Sequence, residues 1–358
     1  MVFGQHYLNM PWGWSGVDVF FVLSGFLITG ILFDTQDDPH RVRNFYVRRT
    51  LRIFPLYYGL MILLVVSYPV FRWDWTWDWL LWPAYLGNFA RGVRPFTHGS
   101  PLQMLADFQP FSRTLHGVLF NFGHFWSLCV EEQFYLIWPW VVFWVRDRRK
   151  LMWICVAFVV VCPLARIAAY HMMPWYMIDQ EVLYRWTPFR IDALLLGGLV
   201  ALIRRGPAKR GMSVAARRLS PVLLALVFYW MVVIIRHPEG NTHPVWSHTW
   251  GLTFVDLLSA CLIVMALDSG SITFRIFNVG PLRWLGRISY GAYVFHDILH
   301  PEFTALVTYW GTVHARTLAA ALALASTLVM SWVSFRWYET PFIRLKERWT
   351  RATPRVEG

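Results

Sequence analysis

Apolar residues in this chain come in long runs, separated by short stretches rich in arginine and lysine. An α-helix needs about 20 predominantly apolar residues to cross a hydrocarbon core ~30 Å thick, and runs of roughly that length recur. They fall at 17–33, 53–71, 125–145, 151–170, 188–203, 220–236, 249–267, 288–310 and 317–337, with a shorter one at 1–9. A further apolar stretch at 75–90 is read as a re-entrant or interfacial segment, followed by an outward loop over about 91–124. If it crossed fully, the cationic loops after it would change sides. The pattern therefore predicts an all-α, polytopic membrane bundle of about ten transmembrane helices with one re-entrant or interfacial segment. No internal repeat is visible.

Charge then orients the bundle. Loop 34–52 carries Arg41, Arg43, Arg48, Arg49 and Arg52; loop 146–150 carries Arg146, Arg148, Arg149 and Lys150. Loops 204–219 and 268–287 and the tail after 337 add Arg204, Arg205, Lys209, Arg210, Arg275, Arg283, Arg344 and Lys346 among others. With alternating spans all these regions share one side, which the positive-inside rule assigns to the cytoplasm. The net charge of +12 thus reflects topology, and no nucleic-acid partner is expected.

Composition agrees. Charged residues make up 15% of the chain and hydrophobic residues 56%, where a soluble domain carries roughly a quarter charged; mean hydropathy is +0.40. The 22 Trp and 15 Tyr suit aromatic belts at the membrane interfaces. Cys129, Cys155, Cys162 and Cys261 lie inside apolar runs without metal-ligand spacing, so they are read as small hydrophobes and no metal site is expected.

Against this background polar residues inside the runs stand out, because an ionisable residue in hydrocarbon costs about 2.5–3.5 kcal/mol on insertion scales. Glu131 and Glu132 interrupt the segment His124–Val145. Ser127, Glu131 and Tyr135 are spaced by four and share one helix face; Glu132 points about 100° away. One carboxylate can face a polar cavity while the other pairs with a base on a neighbouring helix. The alternative is a buried ion pair that only holds spans together. Asp18, in Gly16–Phe21, lies at the outer end of its span and is read either as a helix-start carboxylate or as a catalytic or substrate-binding group. The adjacent Ser24 and Gly25 permit close helix approach.

Arg48, Arg49 and Arg52 precede Pro55 at the inner mouth of the next span. They read as a lipid-headgroup anchor or as a clamp for an anionic donor; Arg49 and Arg52, three apart, share a face and can hold a phosphate. Arg190 and Asp192 are two apart and do not face each other, so each seeks a partner elsewhere. Tyr293 and His296 share a face about two turns into their span, as a cavity wall or as interhelical hydrogen bonds. His6, in the first short run, is either a satisfied core histidine or a general base.

Together these segments resemble the acyltransferase 3 family of polytopic membrane O-acyltransferases, which modify bacterial surface glycans, lipids and some secondary metabolites. The resemblance rests on Gly16–Phe21 with Ser24–Leu27, Arg49 and Arg52 before Pro55, Trp126–Tyr135, Arg190 with Asp192, Ser289–His296, and Glu339-Thr340-Pro341, in the family's order. It covers Met1 to about Trp349 and implies one membrane acyltransferase domain, 1–349, with 350–358 as a cytoplasmic tail. It also implies a bacterial cytoplasmic membrane location with both termini in the cytoplasm. The family's first-span signature, a basic residue, ten intervening residues and a histidine, places His6 at the histidine. Its basic partner would lie before Met1, so the first span is read as truncated.

The resemblance implies acyl-CoA as co-substrate, with no bound cofactor, and a hydroxyl on a glycan or lipid-linked acceptor. Arg48, Arg49 and Arg52 would then hold the donor. His6, Glu131, Glu132 and Asp18 form the candidate catalytic set, and His124, Ser127, Tyr135, Arg190, Asp192, Tyr293 and His296 the acceptor or cavity set. The rival readings are a glycolipid transporter, which would often show inverted repeats, and a non-catalytic relative of the enzyme.

Overall fold

The computed structural model describes residues 2–8, 13–71, 80–92, 111–113, 119–121, 123–172, 180–236, 249–298 and 313–350. They form a helical bundle. In chain order its helices are α1 (Val2–Leu8), α2 (Ser15–Asp34), α3 (Arg41–Phe71), α4 (Trp126–Val145), α5 (Arg148–Met172), α6 (Gln180–Arg185) and α7 (Ile191–Arg204). These are followed by α8 (Lys209–Arg236), α9 (Trp250–Ala266), α10 (Ile272–Phe277), α11 (Gly280–Phe295), α12 (Val313–Val333) and α13 (Thr340–Trp349). A π-helical turn, Ser334–Glu339, joins the last two without a break. The architecture is a helical bundle, as expected. A two-strand antiparallel pairing, β1 (Phe111–Arg113) with β2 (Leu119–Asn121), precedes α4, with Ser112 opposite Phe120.

Five described helices are long and apolar enough to cross a membrane: Ser15–Asp34, Arg41–Ser67, Arg148–Met172, Gly211–Val233 and Thr317–Trp349. Their outward faces carry large apolar side chains such as Leu27, Ile62, Val66, Trp153, Phe228 and Val329. A face of that kind is at rest against lipid tails and unfavourable in water. The chain is a multi-pass membrane protein. Apolar α9 is shorter, and α4, α7 and α11 carry charged or polar residues within 14 to 20 residues.

Side-chain contacts fix the helix directions. Ser24 meets Glu131 and Thr29 meets Trp138, so α2 and α4 run parallel. Arg205 pairs with Asp34, so α7 runs parallel to both. Arg148 donates to the Leu202 carbonyl and Arg166 pairs with Asp192, so α5 runs the opposite way to α7. Arg146–Asp37, Arg205–Asp34 and Arg217–Asp268 gather the basic connections at one end, as the alternation of charged loops requires.

The closest joint is between α2 and α7. A Cβ on Gly25 would fall on the Leu194 carbonyl, and one on Gly197 on the Val22 carbonyl. Without a hydrophobic drive between helices in lipid, such backbone approach supplies the van der Waals contact that associates them. Phe21, Val22, Ile28, Leu194 and Leu195 pack around it, with Val130, Phe134 and Trp138 of α4. A second core of Leu56, Tyr57, Leu128, Cys129 and Val294 joins α3, α4 and α11.

Several boundaries differ from the hydropathy reading. The helix expected to start at 53 starts at Arg41, that expected at 220 starts at Lys209, and that expected at 288 starts at Gly280. Hydropathy marks the section that hydrocarbon demands, while a helix continues past it wherever polar residues tolerate the conformation. The expected linker 268–287 accordingly holds α10, capped by Ser271 accepting from the Phe274 N–H at 2.9 Å, and the first turns of α11. Of the expected re-entrant stretch 75–90, residues 75–79 lie outside the described residues. Residues 80–92 form turns and a 3-10 helix, Gly87–Gly92. They are tied to the bundle by Tyr57 and Tyr58 hydroxyls on the Trp82 and Pro83 carbonyls (2.7 and 2.8 Å) and by Gln133 on the Tyr85 carbonyl (2.7 Å).

Candidate functional site

A polar line runs down the inner face of α4. Residues spaced by four stand one above the other, about 6 Å apart along the axis. At its first turn the Ser127 hydroxyl shares a hydrogen bond with the Tyr293 hydroxyl of α11. Tyr293 donates to the His124 carbonyl at 2.6 Å. One turn on, Glu131 accepts from both Ser24 of α2 and Tyr135 of its own helix, and the Ser24 and Tyr135 oxygens lie 2.5 Å apart. The Arg49 guanidinium of α3 covers the Tyr135 ring at 4.3 Å from its centroid. Spacing alone therefore placed Ser127, Glu131 and Tyr135 on one face correctly. Ser24 is the partner that only α2–α4 packing supplies.

Glu132 points away from this line, as its register requires. It is partly buried and has no ion pair among the described residues. One carboxylate oxygen is buried without a hydrogen-bond partner. Neither Glu131 nor Glu132 forms an ion pair among the described residues, so the reading in which one of the two pairs with a base on a neighbouring helix is not met; Arg49 is the cation near both.

Above the line is a histidine cluster. His124, in the 3-10 turn Gly123–Phe125 that opens α4, is buried; its Nε2 donates to the Val294 carbonyl at 3.1 Å and its Nδ1 lies 3.5 Å from Asp297 Oδ2. His296 caps the C-terminal end of α11, because that helix begins earlier and ends at Phe295. Its ring centre is 4.9 Å from that of His124, and its Nδ1 donates to the Tyr293 carbonyl at 2.6 Å. Tyr7 of α1 donates to the His296 carbonyl at 2.9 Å, bringing α1 to this cluster. His6 precedes Tyr7 on α1; its side chain lies outside the described residues.

The other predicted residues go to a separate buried network. Arg190 pairs with Asp18, and both are 0% exposed. Asp192 pairs instead with Arg166 of α5 at 2.8 Å; Arg166 also donates to Thr253 Oγ1 of α9 at 2.7 Å and to the Phe189 carbonyl. The sequence spacing indicated that Arg190 and Asp192 would part company, and they do. Arg166 and Asp256 were missed as members, although each is a lone charge within an apolar run. That signal was available, and Asp297, which follows His296, was legible in the same way.

At the basic end, Arg48 and Arg52 are exposed and Arg49 is half-buried, all on α3. Arg52 lies near Glu339, which accepts from Ser334 at 2.9 Å across the π-helical turn. The Tyr290 and Tyr338 hydroxyls donate to the Ile53 and Pro55 carbonyls (2.8 and 2.9 Å), holding α3 at Pro55. The site therefore has a cationic mouth on α3, a carboxylate–hydroxyl step on α4 and a histidine cluster where the start of α4 meets the end of α11. Among the described residues no group of three or more His, Cys, Asp or Glu is placed to hold a metal ion.

Residues 3–336 match the acyltransferase domain family. The chain belongs to this family. It is 30% identical to the peptidoglycan O-acetyltransferase OatA of Listeria monocytogenes over 94% of its own length and 53% of that protein's. It is 28% identical to the putative peptidoglycan O-acetyltransferase YrhL of Bacillus subtilis, over 81% of this chain and 45% of that protein. A putative O-acetyltransferase of Staphylococcus aureus strain COL is 26% identical over 94% of this chain and 54% of its own length. The chain thus spans about half the length of the curated relatives it matches. No solved structure matches it.

Proposed function

We propose that the chain transfers an acyl group, acetyl in the simplest case, from cytoplasmic acyl-CoA to a hydroxyl of a surface glycan or lipid-linked acceptor, with peptidoglycan the first acceptor to try. The observation that carries this reading is the polar line on α4, which leads from the cationic mouth to the histidine cluster. The relatives' names support the reaction class.

In the reaction the thioester C–S bond breaks and an ester C–O bond forms. The acceptor hydroxyl gives up its proton to a base, and the leaving thiolate takes one up. Arg49 and Arg52, with Arg48, hold donor phosphates by charge-assisted bonds. His6, on α1, is the base; general base catalysis is typically worth about 10²–10⁴-fold. Glu131, with Ser24 and Tyr135 already bonded to it, orients the groups between mouth and cluster. The cationic end faces the cytoplasm of a bacterial cell, and the acceptor is reached from the membrane or the outer face.

The test is to incubate the purified chain in lipid nanodiscs with isotopically labelled acetyl-CoA and peptidoglycan fragments, followed by mass spectrometry. Labelled ester on a fragment is expected, lost in His6→Ala and Glu131→Gln. In parallel, deletion of the gene should remove one acyl mass from the cell surface. If neither experiment reveals an acyl species that depends on this chain, the reading is wrong and the transporter hypothesis takes its place.

A further inference from the structure

Helices α2, α5, α7 and α9 carry five charged side chains shut off from solvent. Asp18, Arg166 and Arg190 are 0% exposed, Asp256 1% and Asp192 2%. Four of them form two ion pairs, Arg190–Asp18 and Arg166–Asp192. The pairs belong to one junction, because Arg190 and Asp192 both sit at the start of α7. Arg166 also donates to Thr253 Oγ1 of α9 at 2.7 Å, and Asp256, three residues on, shares that face of α9. The rings of Phe21 and Tyr184 lie 5.6 and 5.1 Å from the Arg190 guanidinium and flank it.

Each ion pair rests on a single contact between a guanidinium nitrogen and a carboxylate oxygen, which leaves bonding capacity over on both sides. Among the described residues seven buried atoms of the junction have no hydrogen-bond partner: Nε and Nη1 of Arg190, Nε of Arg166, Oδ2 of Asp18, Oδ1 of Asp192 and both carboxylate oxygens of Asp256. Guanidinium nitrogens only donate, and carboxylate oxygens accept. Donors and acceptors thus stand in one junction without bonding each other. That mixture decides the ligand. An anion would serve the nitrogens and leave the oxygens bare, and a metal cation would do the reverse. Water both donates and accepts, and a buried water characteristically bonds about three otherwise unpartnered polar groups, so seven atoms call for about two or three waters. Bridging water is nearly as good enthalpically as a direct hydrogen bond, whereas an orphaned buried group keeps its desolvation penalty.

We propose that the junction of α2, α5, α7 and α9 is a water-binding site, in which a few ordered waters sealed from bulk solvent bridge the Arg190–Asp18 and Arg166–Asp192 pairs and link them to Asp256. The waters complete the polar contacts that hold these four helices together. This inference stands independently of acyl transfer, and its test does not read activity. The experiment is X-ray radiolysis of the full chain in nanodiscs, where hydroxyl radicals form from water in place and oxidise the side chains beside it. Peptide mass spectrometry maps the products. Phe21, 0% exposed but next to the Arg190 guanidinium, reports on the junction; Phe134, 1% exposed in the apolar core, is the dry reference. Phe21 should be oxidised several-fold faster than Phe134. Rapid mixing with heavy-oxygen water just before irradiation then shows where the water came from. The oxygen added to Phe21 should still be largely the light isotope when that added to Trp349, exposed at the end of α13, is already heavy. Equal oxidation of Phe21 and Phe134 means a dry junction and overturns the proposal. Heavy oxygen arriving at Phe21 as quickly as at Trp349 means bulk solvent enters freely, and overturns it as well.

Discussion

Substituting Gly25 by alanine adds one methyl group where α2 and α7 are in backbone contact. The new Cβ would coincide with the Leu194 carbonyl, and the nearest atoms are backbone, which cannot turn aside as a side chain can. The helices must therefore part by roughly 1 Å, loosening the contacts of Phe21, Val22 and Leu194 around the joint. Overpacking costs typically about 1–3 kcal/mol, and a rigid clash partner puts Gly25→Ala near ~3 kcal/mol, a factor of about 10² in the folded population. Gly197→Ala meets the Val22 carbonyl in the same crossing and should cost a similar amount. Because one separation relieves both clashes, the double variant should cost well under the sum, a coupling of about 1–3 kcal/mol. The assay is equilibrium unfolding in mixed detergent micelles, with Gly211→Ala and Gly286→Ala as helical controls, since nothing lies within 4 Å of a Cβ at either. Those controls should be neutral or stabilised by up to about 1 kcal/mol. Gly25→Ala as stable as the controls, or a strictly additive double variant, would refute the close-crossing argument.

Three other outcomes follow from the site. Arg49→Lys keeps the charge but loses the planar stack on Tyr135, so steady-state kinetics should show a higher KM for acyl-CoA, and an unchanged KM counts against a donor role. Tyr7→Phe removes the hydroxyl that docks α1 on the His296 carbonyl; a loss of about 1 kcal/mol should appear as faster proteolysis near the N-terminus, with the rest of the bundle protected. Asp297→Ala removes the carboxylate beside His124 Nδ1 and should lower kcat by about tenfold or more while leaving the KM for donor alone; a variant with wild-type kcat would show that Asp297 has no positioning role.

The sequence by itself determined the class of the protein. Long apolar runs have one stable use, and the basic connections fixed their alternation, now visible as the Arg146–Asp37, Arg205–Asp34 and Arg217–Asp268 pairs at one end. It also determined which polar residues share a face within one helix, because a spacing of four is a local property; Ser127, Glu131 and Tyr135 needed nothing more. Tertiary structure alone decided the partners across helices. That Ser24 bonds Glu131, that Asp192 goes to Arg166, and that His296 meets His124 depend on helix directions and crossings, which involve residues more than a hundred positions apart in the first and last of these contacts. Helix ends were also beyond hydropathy, since lipid selects only the apolar section and the aqueous turns of α3, α8 and α11 follow backbone preference instead. A helix prescribes its own faces, but the charge balance of a buried cluster such as Asp18, Asp192, Asp256, Arg166 and Arg190 exists only once four helices have met.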